Sequence, residues 1–207
     1  MTNAFWDTNY ATGDYKYGTE PNAFIAGNIG LFKPGSTVLV PGDGEGRNSV
    51  WLARQGFTVV AQDGSSVGLE KARALAERYD VQVELILADL ATWAPAPASV
   101  DAVVLTYVHL PPEIRRHAHR RIANALKPGG LLLLEAFHPL QLNHTSGGPK
   151  SEEMLYSRTM LRHDFADLIE EEWSVEVETV LDEGSGHQGK GHVVRFIGRR
   201  SACPYSV

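Results

Sequence analysis

Cysteine is nearly absent from the 207 residues. Cys203 stands alone, so no internal disulfide, no CxxC redox pair and no cysteine zinc site can be built. It is fifth from the end, where a prenylation box needs its cysteine fourth. No apolar run approaches the ~18 residues of a membrane span. The opening MTNAFWDTNY has neither a basic nor an apolar leader region, so the expected compartment is the cytoplasm. Basic residues are not in excess: 19 Lys plus Arg face 25 Asp plus Glu, a net charge of -6. Global attraction to nucleic acid is therefore disfavoured. Internal repeats and long linkers are missing too, which points to one domain over 1–207, with an arm at 1–20 and a loose tail at 199–207.

What is present is an ordinary globular composition, 43% hydrophobic and 21% charged. Short, nearly continuous apolar runs, Val38–Val40, Thr58–Ala61, Val83–Leu87, Ala102–Thr106 and Leu131–Leu134, read as parallel strands buried on both faces. Helical patterns over Arg47–Arg54, Val67–Arg78 and Glu113–Leu126 lie between them. Strand and helix in alternation predict an α/β, Rossmann-like doubly wound sheet. A helix is expected around Thr159–Ile169. Trp173–Val180 then alternates with period two, a half-exposed antiparallel strand. A Gly-rich turn at Gly184–Gly191 leads to Val193–Ile197 and closes a hairpin. The first twenty residues, with Phe5, Trp6, Tyr10, Tyr15 and Tyr17, read as an irregular arm.

The segment Val38-Leu-Val-Pro-Gly-Asp-Gly-Glu-Gly-Arg-Asn runs from a buried strand through Gly42, Gly44 and Gly46 into a helix. Glycines there let a ligand approach the backbone at a helix N-terminus. The dinucleotide pattern G-x-G-x-x-G fails in both registers, because its last position is Arg47 or Ser49, and no G-x-x-x-x-G-K-[ST] occurs. Asp43 and Glu45 beside the glycines would repel a pyrophosphate but tolerate a ligand carrying a sulfonium and an ammonium group. Asp63, about twenty residues on, ends the second strand, where a carboxylate can accept both hydroxyls of a ribose; its alternative role is a turn or N-cap. Asp89, at the end of the third strand beside the apolar Leu90, can accept from an adenine amine or cap a helix.

Glycine turn, ribose acid and adenine acid in this order, with Lys127-Pro-Gly-Gly before the fifth strand, resemble the class I S-adenosylmethionine-dependent methyltransferases over residues 35–198. More narrowly, Trp6-Asp, Tyr15-Lys-Tyr-Gly-Thr-Glu-Pro-Asn, Gly44-Glu-Gly-Arg-Asn, His109-Leu-Pro-Pro and Gly184-Ser-Gly-His-Gln-Gly resemble bacterial small-molecule methyltransferases of the tellurite-resistance and thiopurine types. The resemblance implies a sheet of seven strands, mostly parallel, with an antiparallel C-terminal hairpin. It implies S-adenosylmethionine around Gly42, Gly44, Asp63, Asp89 and Thr106, to which we add Tyr17, Asp43, Gly46, Asn48, Gly64, Ser65 and Leu90. It also implies a monomer acting on a small-molecule acceptor. The sequence departs from the family at Val40, where an acidic residue is common. An NAD(P)-dependent oxidoreductase and a non-catalytic adenosine-cofactor binding module are the competing readings.

His117 and His119 are two apart on a helix and cannot form an i, i+4 metal pair. With Arg115, Arg116, Arg120 and Arg121 they read as a solvated basic face, and no metal is expected. His109, Glu135 and His138 each follow a core strand at its carboxyl end, and His187 could join them from the hairpin. These four are the candidates for taking a proton from an amine or hydroxyl acceptor, a step a soft anion would not need. The arm around Tyr10–Pro21 and the loop Asn143–Lys150 are expected to cover the site and to order when cofactor binds.

Overall fold

The computed structural model describes residues 3–202. The chain runs through α1 (Asn3–Tyr10), α2 (Ala23–Gly27), β1 (Thr37–Pro41), α3 (Arg47–Arg54), β2 (Thr58–Asp63), α4 (Ser66–Arg78), β3 (Glu84–Leu87), β4 (Val100–Thr106), α5 (Pro112–Asn124), β5 (Leu126–Phe137), α6 (Arg158–Phe165), β6 (Ile169–Glu183) and β7 (His187–Arg200). Local chemistry sets many of these boundaries. Gly46 starts α3 with φ 92, Ser65 caps α4 by accepting from Gly68 N, Pro112 occupies the first turn of α5, and Ser157 caps α6 by accepting from Met160 N.

All seven strands form one sheet in the order β3-β2-β1-β4-β5-β7-β6. β1 is central and nearly fully buried, and its Leu39 pairs in parallel with Val60 of β2 and Val103 of β4. Successive connections reverse direction across the β1/β4 boundary, so the loops after these strands part and leave a crevice at their carboxyl ends. β7 inserts antiparallel to β5, with Leu134 opposite Phe196, and β6 is the antiparallel edge. One core layer joins Leu105, Leu134, Tyr156, Phe165 and Phe196; the other joins Ile25, Val38, Leu52, Val104 and Leu133. Helices therefore cover both faces of the sheet, the expected doubly wound arrangement.

Four expectations need correction. Residues 3–10 of the arm are helical, because Trp6 stacks on Tyr10 one turn later with ring centroids 5.5 Å apart and the side chains of Thr8 and Asn9 donate back to the carbonyls of Ala4 and Phe5. The turn of the C-terminal hairpin is only three residues, since ladder pairing continues out to Glu183 opposite His187. Arg199 and Arg200 belong to β7 rather than to a tail; Cys203 and the residues after it lie outside the described part. The helix expected to reach Ile169 ends at Phe165, and Ile169 opens β6.

The basic side of α5 is also less solvated than expected. Arg115 pairs with the buried Asp164 at 2.7 Å, Arg120 donates to Ala166 O, and Arg121 clasps the carbonyls of Leu90, Ala91 and Trp93 at 2.7–3.0 Å. His119 is buried and pairs with Asp164 at 2.9 Å. These contacts hold α6 and the loop after β3 onto α5.

Candidate active site

A cavity of about 970 Å³ opens at the carboxyl ends of β1, β2, β4 and β5. Its floor is built by Gly42, Asp43, Asn48, Asp63 and Thr106. Gly42 has φ 64, and a Cβ there would come within 2.7 Å of the Val108 side chain, so only glycine fits. Gln62, overlooked in the sequence, lies in the same wall: its Oε1 accepts from Gly42 N at 3.3 Å and its Nε2 donates to Ala88 O at 2.6 Å. A fully buried amide inside an otherwise apolar strand was the available signal.

The acidic groups are arranged with more constraint than their spacing suggested. Asp63 is 7% exposed and accepts from Gly44 N and Ser65 N, both at 2.8 Å. Asp43 accepts from the Ser49 hydroxyl at 2.5 Å and from Ser49 N at 3.3 Å. Burial pushes the Asp43 carboxyl up to about 7 against the opposing Ser49 bonds, and burial also raises Asp63. Asp89 sits exposed on the rim, where Oδ1 accepts from Ala91 N at 2.8 Å, so its capping role coexists with its place beside Leu90 in the cavity wall. Glu45 does not face the cavity: it receives Lys71 Nζ at 2.5 Å and Lys16 N at 2.8 Å.

The predicted cofactor residues divide accordingly. Tyr17, Gly42, Asp43, Asn48, Asp63, Gly64, Asp89, Leu90 and Thr106 come together around one cavity; Gly44, Gly46 and Ser65 do not line it. Gly44 lies under the ring of Tyr10, whose hydroxyl would be 2.6 Å from a Cβ there. The freedom of Gly46 serves helix packing, because a Cβ would meet Ala72 Cα of α4 at 2.7 Å. Ser65 is occupied as a cap and as donor to Asp7 at 2.6 Å. Asn48 donates to Thr106 Oγ1 at 2.8 Å and accepts from Asn22 N at 2.9 Å, tying the floor together.

The roof comes from two segments. Phe5, Trp6, Asn9 and Tyr10 of α1, with Lys16 and Tyr17, cover one side, and Gly147 to Ser151 cover the other. Lys71 rivets the arm to α4, donating to the carbonyls of Tyr10, Thr12 and Asp14 at 2.7–3.2 Å. The arm also meets the hairpin tip, where Gly186 N donates to Lys16 O at 2.9 Å and a Cβ on Gly184 would collide with the backbone of Tyr17 and Gly18.

Of the four proton-acceptor candidates, three hold structure. His109 lines the cavity, but its Nδ1 donates to Met154 O at 2.7 Å and its Nε2 accepts from Phe137 N at 3.2 Å, and burial pulls it down to about 4. Glu135 is 1% exposed and saturated: Asn22 Nδ2 and the Tyr107 hydroxyl donate to Oε1, each at 2.7 Å, and Arg195 Nε donates to Oε2. His138 lies away from the cavity, capping the 3-10 turn Pro139–Asn143 and facing Glu176 at 3.5 Å. His187 alone reaches the cavity without both nitrogens engaged, its ring packed on Tyr17 and Tyr107 with centroids 4.4 and 4.3 Å apart.

Sequence reasoning missed Arg47, Tyr107 and Glu183. Arg47 opens α3 and pairs with Glu183 at 3.0 Å, an ion pair across 136 residues that no local pattern reveals. Tyr107 follows β4 with φ 55, a left-handed conformation rare for a bulky residue, which turns the chain out of the sheet beside the cavity.

Sheet order, crevice position and the antiparallel β6–β7 pair are those of the seven-stranded, mostly parallel α/β fold found in methyltransferases. In agreement, residues 38–130 match the family described as "Methyltransferase domain". Among curated proteins the chain is 28% identical over 116 residues to the carboxy-S-adenosyl-L-methionine synthase of Photobacterium profundum, covering 55% of this chain and 44% of that one. It is 34% identical over 85 residues to the corresponding synthase of Actinobacillus succinogenes, covering 40% and 35%. The chain thus spans less than half the length of these relatives. Among solved structures, TehB from Haemophilus influenzae superposes with a TM-score of 0.71 at 19% identity, over 96% of this chain and 67% of that one. A structure solved for the conversion of a disulfide bond into a thioacetal group during echinomycin biosynthesis gives 0.80 at 19% identity, over 98% and 92%. These two likenesses establish the fold.

Proposed function

We propose that the protein transfers the methyl group of S-adenosylmethionine to a small-molecule acceptor inside this cavity. The observation that carries the reading is the charge arrangement of the glycine turn. The backbone donors a pyrophosphate would need, Gly44 N and Ser49 N, are already taken by Asp63 and Asp43. The floor therefore offers crowded carboxylates instead of an anion hole, and a ligand with a sulfonium and an ammonium group supplies the counter-charge they lack. That same feature disfavours the NAD(P) alternative.

Asp63 would meet the ribose hydroxyls, Asp89 and Leu90 the adenine, and Gly42, Asp43 and Asn48 the amino-acid part. Tyr17 and Trp6 cover the cavity and exclude water, and the aromatic end around Tyr107 and Phe137 orients the acceptor. When bound, S-adenosylmethionine supplies an electrophilic methyl group on sulfur. A volume of about 970 Å³ lies at the upper end of the roughly 300–1,000 Å³ of small-molecule sites, which suits a cofactor with a small acceptor. Among the described residues no helix is long and apolar enough to cross a membrane. Calorimetry decides the cofactor: S-adenosylmethionine and S-adenosylhomocysteine are expected to bind, and binding of NAD or NADP in their place would overturn the proposal.

A further inference from the structure

The two histidines of the cavity have opposite hydrogen-bonding states. Both nitrogens of His109 are engaged by backbone groups. His187 is 4% exposed, and its Nδ1 donates to Glu183 Oε2 at 3.2 Å, while Nε2 makes no hydrogen bond to any described residue. Room in front of that nitrogen is kept by Gly147. This residue has φ 120, and a Cβ on it would lie 2.7 Å from Cδ2 and 3.4 Å from Nε2 of His187. Glu183 is itself fixed as an anion, receiving Arg47 at 3.0 Å and Asn22 Nδ2 at 2.9 Å; burial opposes its charge, but the bond from His187 and the Arg47 guanidinium outweigh it and hold the carboxyl down at about 2.

We infer that His187 takes the proton of the acceptor during transfer, with Glu183 as its positioning residue, so the acceptor presents its nucleophile as an O–H or N–H and not as a ready-made anion. The inference rests on the methyl-transfer reading above. An imidazole locked as the Nδ1–H tautomer by a carboxylate presents its Nε2 lone pair outward. Burial holds His187 below its ordinary value, leaving it neutral and receptive near pH 7. The groups facing it are Tyr17 from the arm, Arg47 from α3, Tyr107 and His109 after β4, Glu135 from β5 and Glu183 from β6. Glu135 and Glu183 stabilise the imidazolium once formed, and Arg47 opposes it. The aromatic walls of Tyr17, Tyr107 and Phe137 suit an acceptor with a flat apolar body.

The step balances without a co-reactant. The acceptor's lone pair forms the bond to the methyl carbon, the carbon–sulfur bond breaks with its electron pair retained by sulfur, and the acceptor's proton passes to Nε2. His187 then returns that proton to solvent. An acceptor already ionised would leave Nε2 without a task.

The test uses the full chain with S-adenosylhomocysteine bound and histidine-labelled for nitrogen NMR, with His187→Gln used to assign the signal. His187 is expected as the Nδ1–H tautomer with bare Nε2 at pH 7. Glu183→Gln should shift its titration further downward, which a merely structural glutamate would not do. In parallel, catechol, 4-hydroxybenzoate, tryptamine and hydrosulfide are offered with S-adenosylmethionine. At least one of the first three should be methylated, and His187→Gln should lower that rate at least 100-fold while S-adenosylhomocysteine affinity stays within threefold. An Nε2–H tautomer, an undiminished rate in the variant, or transfer to hydrosulfide alone or to none of the four overturns the inference. Failure of S-adenosylhomocysteine to bind instead removes the methyl-transfer reading together with it.

Discussion

Replacing Asp63 by alanine separates its part in the glycine turn from the cofactor contact proposed for it. Its oxygens accept from Gly44 N and Ser65 N at 2.8 Å each, so it shapes the glycine turn before any ligand arrives. Truncation strands two buried N–H groups at about 1–3 kcal/mol each, partly offset because a carboxylate that resists burial has been removed. The expected loss of folding stability is about 1–4 kcal/mol, within the ~5–15 kcal/mol of a typical domain, so the fold is retained. Cofactor affinity should fall by a further ~2–4 kcal/mol for the lost charge-assisted contacts, roughly 30- to 1,000-fold in Kd. Asp63→Asn, which keeps one acceptor for the turn, should recover part of the stability and little of the affinity. Urea unfolding and calorimetry with S-adenosylhomocysteine give the two numbers independently. Affinity within twofold of wild type in the alanine variant would refute the assignment and leave Asp63 as a turn residue only.

Three further outcomes follow from the same geometry. Lys71→Ala removes the rivet of the arm, so amide exchange over residues 10–18 should rise and S-adenosylhomocysteine should bind more weakly; unchanged exchange would show that the arm docks by its aromatic contacts alone. Hydrogen exchange with and without S-adenosylhomocysteine should show added protection in both the arm at 10–21 and the loop at 143–150, and equal protection in the two states would sink the lid idea. Stability should depend on pH in two windows. Asp43 holds a proton in the folded state up to about 7 but only to 3.8 when unfolded, so stability declines as pH rises between them, by on the order of 4 kcal/mol at most; Asp43→Asn should flatten that slope. Glu183, lowered from 4.5 to about 2, contributes stability above 4.5 that is lost as pH falls through about 2, and denaturant melts across pH 2–8 test both.

The fold and the floor of the cavity were readable because they depend on local order. The buried runs of β1, β2 and β4, the glycine turn and the acids at strand ends are contiguous signals, and strand alternation fixes which ends converge. The roles inside that frame were harder to read. Gly42, Gly44 and Gly46 look equivalent in sequence, but they meet Val108, Tyr10 and Ala72 respectively, three neighbours distant in the chain. Likewise the four acid–base candidates differ in how their polar atoms are engaged and, for His138, in lying away from the cavity. Glu135 looked free at a strand end until Asn22, Tyr107 and Arg195 converged on it. Glu183, the partner of His187, is only four residues away, but Arg47, which fixes Glu183, lies 136 residues from it. Even the basic helix face misled, because Arg121 reaches three backbone carbonyls that no charge pattern encodes.

Methyl transfer from S-adenosylmethionine is read most directly by following its labelled methyl group. Purified protein is incubated with methyl-labelled S-adenosylmethionine and a broad library of small O–H, N–H and thiol acceptors, and label is read in product against S-adenosylhomocysteine released. The account predicts equimolar label and S-adenosylhomocysteine with at least one acceptor, and loss of both in Asp63→Ala at limiting cofactor. Tight cofactor binding with no label in any acceptor would contradict it and assign the chain to a non-catalytic binding role.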